Sequence, residues 1–312
     1  MKMKPVKESE WQPVLRQLTQ VIPAQRIAWD EPMSRHTTFQ IGGPADALVI
    51  PTSEEELQRI ILFCREKKLP YYIIGKGSNL LIRDKGIRGA VIKIDQPLGH
   101  LEFSGHQVKA GAGLSLGELS RKVAERGLSG LEFAIGIPGS LGGALVMNAG
   151  AYDGEMKDVV TSVRVLDEKG RCFTLLADQL KFGYRHSILQ GSDLIVLEAT
   201  IDLTPGNPDE IQARMDDYTK RRESRQPLNL PSAGSVFRRP TGYFVGPMIE
   251  ELGLKGFQVN QAQVSEMHAG FIVNQGQATA EDVITLIKII QELVKERFGV
   301  ELVPEIKIIG EE

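Results

Sequence analysis

Apolar residues at Trp11, Val14, Leu15, Leu18 and Val21 recur at helical spacing and predict a short amphipathic helix over 8–21. Further on, Ser53 and Glu56 stand three apart ahead of Leu57, Ile60, Ile61 and Cys64. That is the signature of a capping box opening a helix to about residue 67. Thr279 and Asp282 repeat it before Val283, Leu286, Ile287, Ile290, Leu293 and Val294. Stretches 116–126 and 208–225 also read as helices, the second heavily charged. Short β segments are predicted at 47–50, 71–74, 80–82, 90–94, 107–110, 160–166, 171–175 and 194–203. Of these, 71–74 reads as a buried strand. TPGNPDE, directly after Leu203, is rich in turn formers and marks a domain boundary. The pattern is α+β, in two sections joined near residue 204.

Composition narrows the class. A chain of 312 residues suggests about two domains at roughly 150 residues each. Net charge is −3, which argues against broad nucleic-acid binding. No apolar run nears the ~18 residues of a membrane span. The start, MKMKPVKESEWQ, lacks the apolar core of a secretory signal. Two cysteines, Cys64 and Cys172, make no disulfide framework, and five scattered histidines give a zinc site little support. A cytosolic enzyme or binding protein is expected. Glycine alone is enriched, at 32 residues, about one in ten against an average near 7%. Close approach of backbone to a ligand would explain it.

Two glycine-rich stretches stand out. GKGSN (75–79) follows a strand, and its successive N–H groups could cradle phosphate oxygens. Taken alone it reads more simply as a tight turn. GIPGSLGG (136–143) holds four glycines in eight residues between apolar flanks, which suits a ligand contact better than a linker. GLSLG (113–117) formally matches a hydrolase nucleophile elbow, but its leading strand is half polar, so Ser115 reads as a helix N-cap. Lys220, Arg221, Arg222, Arg225, Arg238 and Arg239 form a basic cluster; an anionic partner and a solvated face are equally compatible with it. Glu305 lies among Leu302, Val303, Ile306 and Ile308. Facing inward it would favour its neutral form, while alternation along a strand equally allows it to face out.

Taken in order, HTTFQIGGPAD, IIGKGSNLLI, LEFAIGIPGSLGGALVMNAGAY, FGYRHS, SAGSVFRRP, VSEMHAGFIVN and VPEIKIIG resemble the UDP-N-acetylenolpyruvoylglucosamine reductase (MurB) family, flavoenzymes of peptidoglycan precursor synthesis. The likeness runs from about His36 to Gly310. The lack of an inserted Tyr-bearing substrate loop, and SVFRRP in place of a Lys-Asn pair, are similar to the shorter type II branch. Arg238 and Arg239 thus stand where the type I branch has a substrate-contacting Asn.

The resemblance implies an α+β architecture: a two-lobed FAD-binding domain of the vanillyl-alcohol-oxidase (PCMH) type, then an α+β substrate-binding domain. The boundaries expected from it are a helical extension over 1–36, the FAD domain over 37–203 with lobes of about 37–70 and 71–203, and the substrate domain over 204–312. It implies noncovalent FAD held by Gly75, Lys76, Gly77, Ser78, Asn79, Leu80, Gly136, Pro138, Gly139, Ser140, Gly142, Gly143, Ala149, Gly150 and Ala151. NADPH would reduce the flavin, and hydride would then pass from flavin N5 to the vinyl carbon of UDP-N-acetylglucosamine enolpyruvate. By the same resemblance Arg185 and Glu305 stabilise the resulting enolate and Ser235 protonates it, while Arg222, Arg225 and His268 contact substrate. No metal, nucleic acid, membrane or obligate protein partner is implied, and the location would be cytoplasmic. Competing readings are another flavin oxidase on the same fold, a non-catalytic nucleotide-binding module, and a hydrolase acting through Ser115.

Overall fold

The computed structural model describes residues 10–312, and the first two residues of the expected 8–21 helix lie outside them. Within that stretch the chain forms one α-helical turn, Gln12–Leu15, and a tighter 3-10 turn, Arg16–Gln20, burying Leu15 and Leu18. A strand then follows at Ile27–Pro32, inside the part expected to be helical. Its sequence, IAWDEP, alternates poorly and ends in proline, so it carries little strand signal. Pairing supplies what the pattern lacks: Ile27 lies opposite Val49 and Pro32 opposite Pro44.

The first sheet runs Ile27–Pro32, Pro44–Val49, Ile87–Lys93, Tyr71–Ile74, antiparallel at the first pairing and parallel at the next two. Tyr71–Ile74 is therefore an edge strand with Tyr72 exposed, not the buried strand its apolar run suggested. It also belongs to the first sheet, so the lobes part after residue 93 rather than at 70. Helix Glu54–Glu66 covers this sheet with Leu57, Ile60, Ile61 and Cys64 inward. Ser53 accepts the Glu56 N–H at 3.2 Å. The return half of the capping box is displaced, because the Glu56 carboxylate takes the Thr52 N–H at 2.8 Å and Arg26 instead. Burial pushes the Cys64 thiol up to about 12, so it stays protonated and unreactive at neutral pH.

The second sheet is wholly antiparallel, ordered Cys172–Leu176, Val160–Leu166, Ile195–Asp202, Gln107–Gly111, Leu101–Ser104. On its central strand Ala199 faces Val163 on one side and Ala110 on the other. One continuous apolar core joins this sheet to the helix face of the first, so the two lobes form one body. Helices Leu116–Ala124 and Leu141–Met147 pack onto it.

Helix Pro208–Glu223 then leads to a third unit of strands Gln258–Val259, Ala262–Val264 and Ile272–Asn274 against helix Ala280–Phe298. Its core takes in Phe39, Ile41 and Leu81 of the first lobe. The last strand, Lys307–Ile309, returns to pair in parallel with Leu80–Ile82. Thr279 and Asp282 make the full reciprocal capping box, and a second cap crosses between units. The Asp84 carboxylate accepts the N–H groups of Ala280 at 2.8 Å and Glu281 at 3.0 Å. Asp84→Ala is expected to lower stability by about 1–2 kcal/mol, read from the midpoint of urea unfolding. Among the described residues no helix is long and apolar enough to cross a membrane.

Candidate active site

The two glycine stretches meet face to face. A Cβ on Gly75 would lie 2.2 Å from Ser140 Oγ, and one on Gly139 3.0 Å from Ser78 Oγ. Ser78 donates to the Pro138 carbonyl at 2.9 Å and ties the loops together. Gly77 needs its missing side chain twice over. Its φ is +66°, and a Cβ would sit 2.2 Å from the His36 carbonyl. Some of the bareness is thus spent on packing loop to loop. Gly142 likewise faces Ala112 and donates its N–H to Ala112, and Gly136 makes room for the Arg222 side chain.

What remains open is the row of donors. Among the described residues, the N–H groups of Gly75, Lys76, Gly77, Ser78 and Asn79 reach no acceptor, nor do those of Gly139, Ser140 and Gly143. Backbone donors on two adjoining loops, without an acceptor among the described residues, form the kind of nest that binds phosphate oxygens. Gly143 is exposed, and the only atom near its absent Cβ is Ser140 Oγ at 3.7 Å. These residues fit a diphosphate lying over bare backbone. Leu80 continues from this loop into the strand paired with Lys307–Ile309.

Ser115 stands at the N-cap position of its helix, but its hydroxyl caps nothing. Instead its backbone bridges to Ser140 and fastens the second glycine loop. That local pairing accounts for the residue without a nucleophile.

Arg185 and Glu305, 120 positions apart, come together: Arg185 Nε donates to Glu305 Oε1 at 3.1 Å and Nη2 to the Gly150 carbonyl at 2.9 Å. Arg185 is held at φ +51°, a left-handed backbone uncommon outside glycine and a frequent mark of functional sites. Two residues that sequence reasoning missed hold its loop. Gln190 Nε2 donates to the Arg185 carbonyl at 2.8 Å, and buried Asn148 donates to the Gly183 carbonyl at 2.9 Å. Asn148 ends helix Leu141–Met147 in the left-handed region, so the Asn-Ala-Gly following that helix was the available signal.

Glu305 does not lie in a strand; it precedes Lys307–Ile309, and alternation therefore never governed its direction. Burial raises its carboxyl above the usual range, while Arg185 chiefly, then Arg238 and Lys307, pull it down. Burial prevails, so the carboxyl holds its proton more readily than an ordinary glutamate even though a guanidinium lies beside it. The Glu305 N–H donates to the Val236 carbonyl at 2.7 Å, which brings the turn carrying Ser235 alongside. Ser235 is exposed, and its backbone bridges to Phe271. On that adjoining segment, burial lowers the His268 pKa and keeps the ring neutral. His268 Nδ1 accepts the Gly270 N–H at 3.1 Å, which leaves the proton on Nε2 as a free donor.

Arg222 lines a cavity of about 760 Å³ together with Arg121, Ile135, Gly136, Pro138 and Met215. No carboxylate pairs with it among the described residues, and burial pulls its pKa down. Tyr152, at φ +52°, stacks on Tyr218 with centroids 4.3 Å apart and lies near Arg222, a contact with no sequence signal. Arg225 is exposed beyond the helix end. Ala149 and Ala151 flank Gly150 on the segment that Arg185 grips.

Residues 45–176 match an FAD binding domain, and residues 226–309 match the C-terminal domain of UDP-N-acetylenolpyruvoylglucosamine reductase. A reductase of that name from Syntrophomonas wolfei is 53% identical over 291 residues, 93% of this chain and 97% of the relative. Another, from Clostridioides difficile, is 50% identical over 295 residues, 95% of this chain and 97% of the relative. Among solved structures, the UDP-N-acetylenolpyruvylglucosamine reductase of Thermus caldophilus has a TM-score of 0.78 at 36% identity, covering 89% of this chain and 97% of that one. An alkyldihydroxyacetonephosphate synthase at 19% identity and TM-score 0.50, over 66% of this chain and 42% of its own, shares the fold alone.

Proposed function

The chain belongs to the UDP-N-acetylenolpyruvoylglucosamine reductase family, FAD-dependent oxidoreductases of peptidoglycan precursor synthesis, and from that premise we propose that it reduces the enolpyruvyl group of UDP-N-acetylglucosamine enolpyruvate at the expense of NADPH. The observation that carries this reading is the Arg185–Glu305 pair, a protonatable carboxyl beside a guanidinium next to two loops of unused backbone donors. When bound, FAD supplies the hydride chemistry, accepting from NADPH and delivering to the vinyl carbon. Gly75–Asn79 and Gly136–Gly143 would hold its diphosphate, with the 149–151 segment alongside.

The chain's own residues then manage charge and protons on the substrate. Hydride addition to the vinyl carbon places negative charge on the enolpyruvyl carboxylate as an enolate. Arg185 and protonated Glu305 are donors directed at that charge, and such preorganised donors typically lower a barrier by about 3–4 kcal/mol each. Ser235 delivers the proton to the α-carbon; a hydroxyl is a weak acid, but an enolate is a strong enough base to take its proton. Arg222, half-buried with no carboxylate partner among the described residues, and His268, donating from Nε2, suit the anionic and polar parts of the UDP-sugar, with exposed Arg225 at the outer edge. The FAD-binding part corresponds to 37–203 and the substrate-binding part to 204–312.

The cradle has a direct test. Gly143→Leu fills the open face of the second loop without touching the core, so a folded but colourless protein is expected. Visible absorbance per protein and thermal unfolding together check it; a fully yellow variant would place the cofactor elsewhere.

A further inference from the structure

We infer that Asn79 is a positioning residue for Glu305, coupling the first glycine loop to the carboxyl that meets the substrate; this rests on the reading of Glu305 above. The Asn79 side-chain amide is engaged within the protein. Its Nδ2 donates to the Glu305 carbonyl at 3.2 Å and approaches Met147 Sδ at 3.7 Å. Its own carbonyl accepts the Lys307 N–H at 2.9 Å and starts the parallel ladder of Lys307–Ile309 with Leu80–Ile82. The Glu305 residue is therefore held from both sides. Its carbonyl rests on the glycine loop, and its N–H rests on Val236, next to Ser235, at 2.7 Å.

Of the Asn79 backbone groups the N–H is the one left to a ligand, in line with those of Gly75, Lys76, Gly77 and Ser78. Movement of that loop thus reaches Glu305 through one amide, and Met147 links the same amide to the helix that follows the second loop. A carboxyl must be held to within about 0.5 Å to work on a reacting group, and its supporting hydrogen bonds set that precision. With Asn79 in place, Glu305 stays buried against Arg185, where desolvation raises its pKa. Without it, water reaches the carboxyl and relieves the desolvation that favours the proton.

The test uses Asn79→Leu, which keeps volume but not the donor, and Asn79→Ala, which loses both. Each holoenzyme is assayed for flavin content. Each is then reduced with dithionite under anaerobic conditions and mixed with the enolpyruvyl UDP-sugar across a pH series. Both variants are expected to keep FAD and to reoxidise about 10- to 100-fold more slowly at saturating substrate. KM should hardly change, and the loss of rate at high pH should shift to lower pH. A wild-type rate and profile, a slowed rate with an unmoved profile, or loss of FAD from both variants would each overturn the inference. Glu305→Leu is run in parallel. If it too reoxidises at the wild-type rate, the reading of Glu305 has failed; if it is slow while both Asn79 variants are normal, only the positioning inference has failed.

Discussion

Ser235→Ala should bind FAD and accept hydride from NADPH at the normal rate, yet lose about 10²- to 10⁴-fold in reoxidation by the enolpyruvyl substrate. The asymmetry follows from where the residue stands. Ser235 lies on an exposed turn in the third unit, next to the strand-like contact with Phe271 and to the Val236 carbonyl that receives Glu305. Among the described residues no hydrogen bond joins that turn to the two glycine loops, so removal of one hydroxyl should leave cofactor binding alone. Its loss removes the proton source for the α-carbon and nothing from the first half-reaction. Single-turnover absorbance for each half separates the outcomes: equal slowing of both would remove Ser235 from the proton-donor role.

Glu305→Leu should slow the same half-reaction by about 10²- to 10³-fold, while Glu305→Gln should retain more rate and lose its pH dependence. The sign follows from the carboxyl's surroundings. Burial raises its pKa against the pull of Arg185, so the donor form is present below that raised value. Reoxidation should therefore decline as pH rises through it, because the ionised carboxylate has no proton to offer and repels an enolate. A Gln amide donates at every pH and cannot titrate. A pH series of reoxidation rates for wild type and Glu305→Gln distinguishes this from a purely structural salt bridge. If the two profiles were parallel, Glu305 would not be the titrating donor.

Much of the scaffold was legible because local and long-range forces agreed. Thr279 and Asp282 cap a helix whose apolar face is the core of the third unit, and Val160–Leu166 is bounded by the residues its pattern indicated. Where only pairing stabilises an element, the pattern failed. IAWDEP becomes a strand because Pro44–Val49 lies beside it, and Tyr71–Ile74 looked buried but lies at a sheet edge. The glycine loops could be found by composition, yet their partner could not. Several of these glycines are bare because loop packs on loop, and only hydrogen-bond accounting separates that use from the donors left open. Glu305 was undecidable from alternation, since its direction is set by Asn79, Val236 and Arg185, contacts from residues 226, 69 and 120 positions away. Gln190 and Tyr152 were invisible for the same reason: each acts through a backbone group or ring brought near by the tertiary fold.

The most direct measurement is the visible spectrum of the purified protein, first alone, then after anaerobic NADPH, then after the enolpyruvyl UDP-sugar. Oxidised-flavin bands that bleach with NADPH and return on addition of that sugar are the expected result. Bands that fail to bleach with NADPH, or that bleach and return only with oxygen, would contradict the proposed reaction.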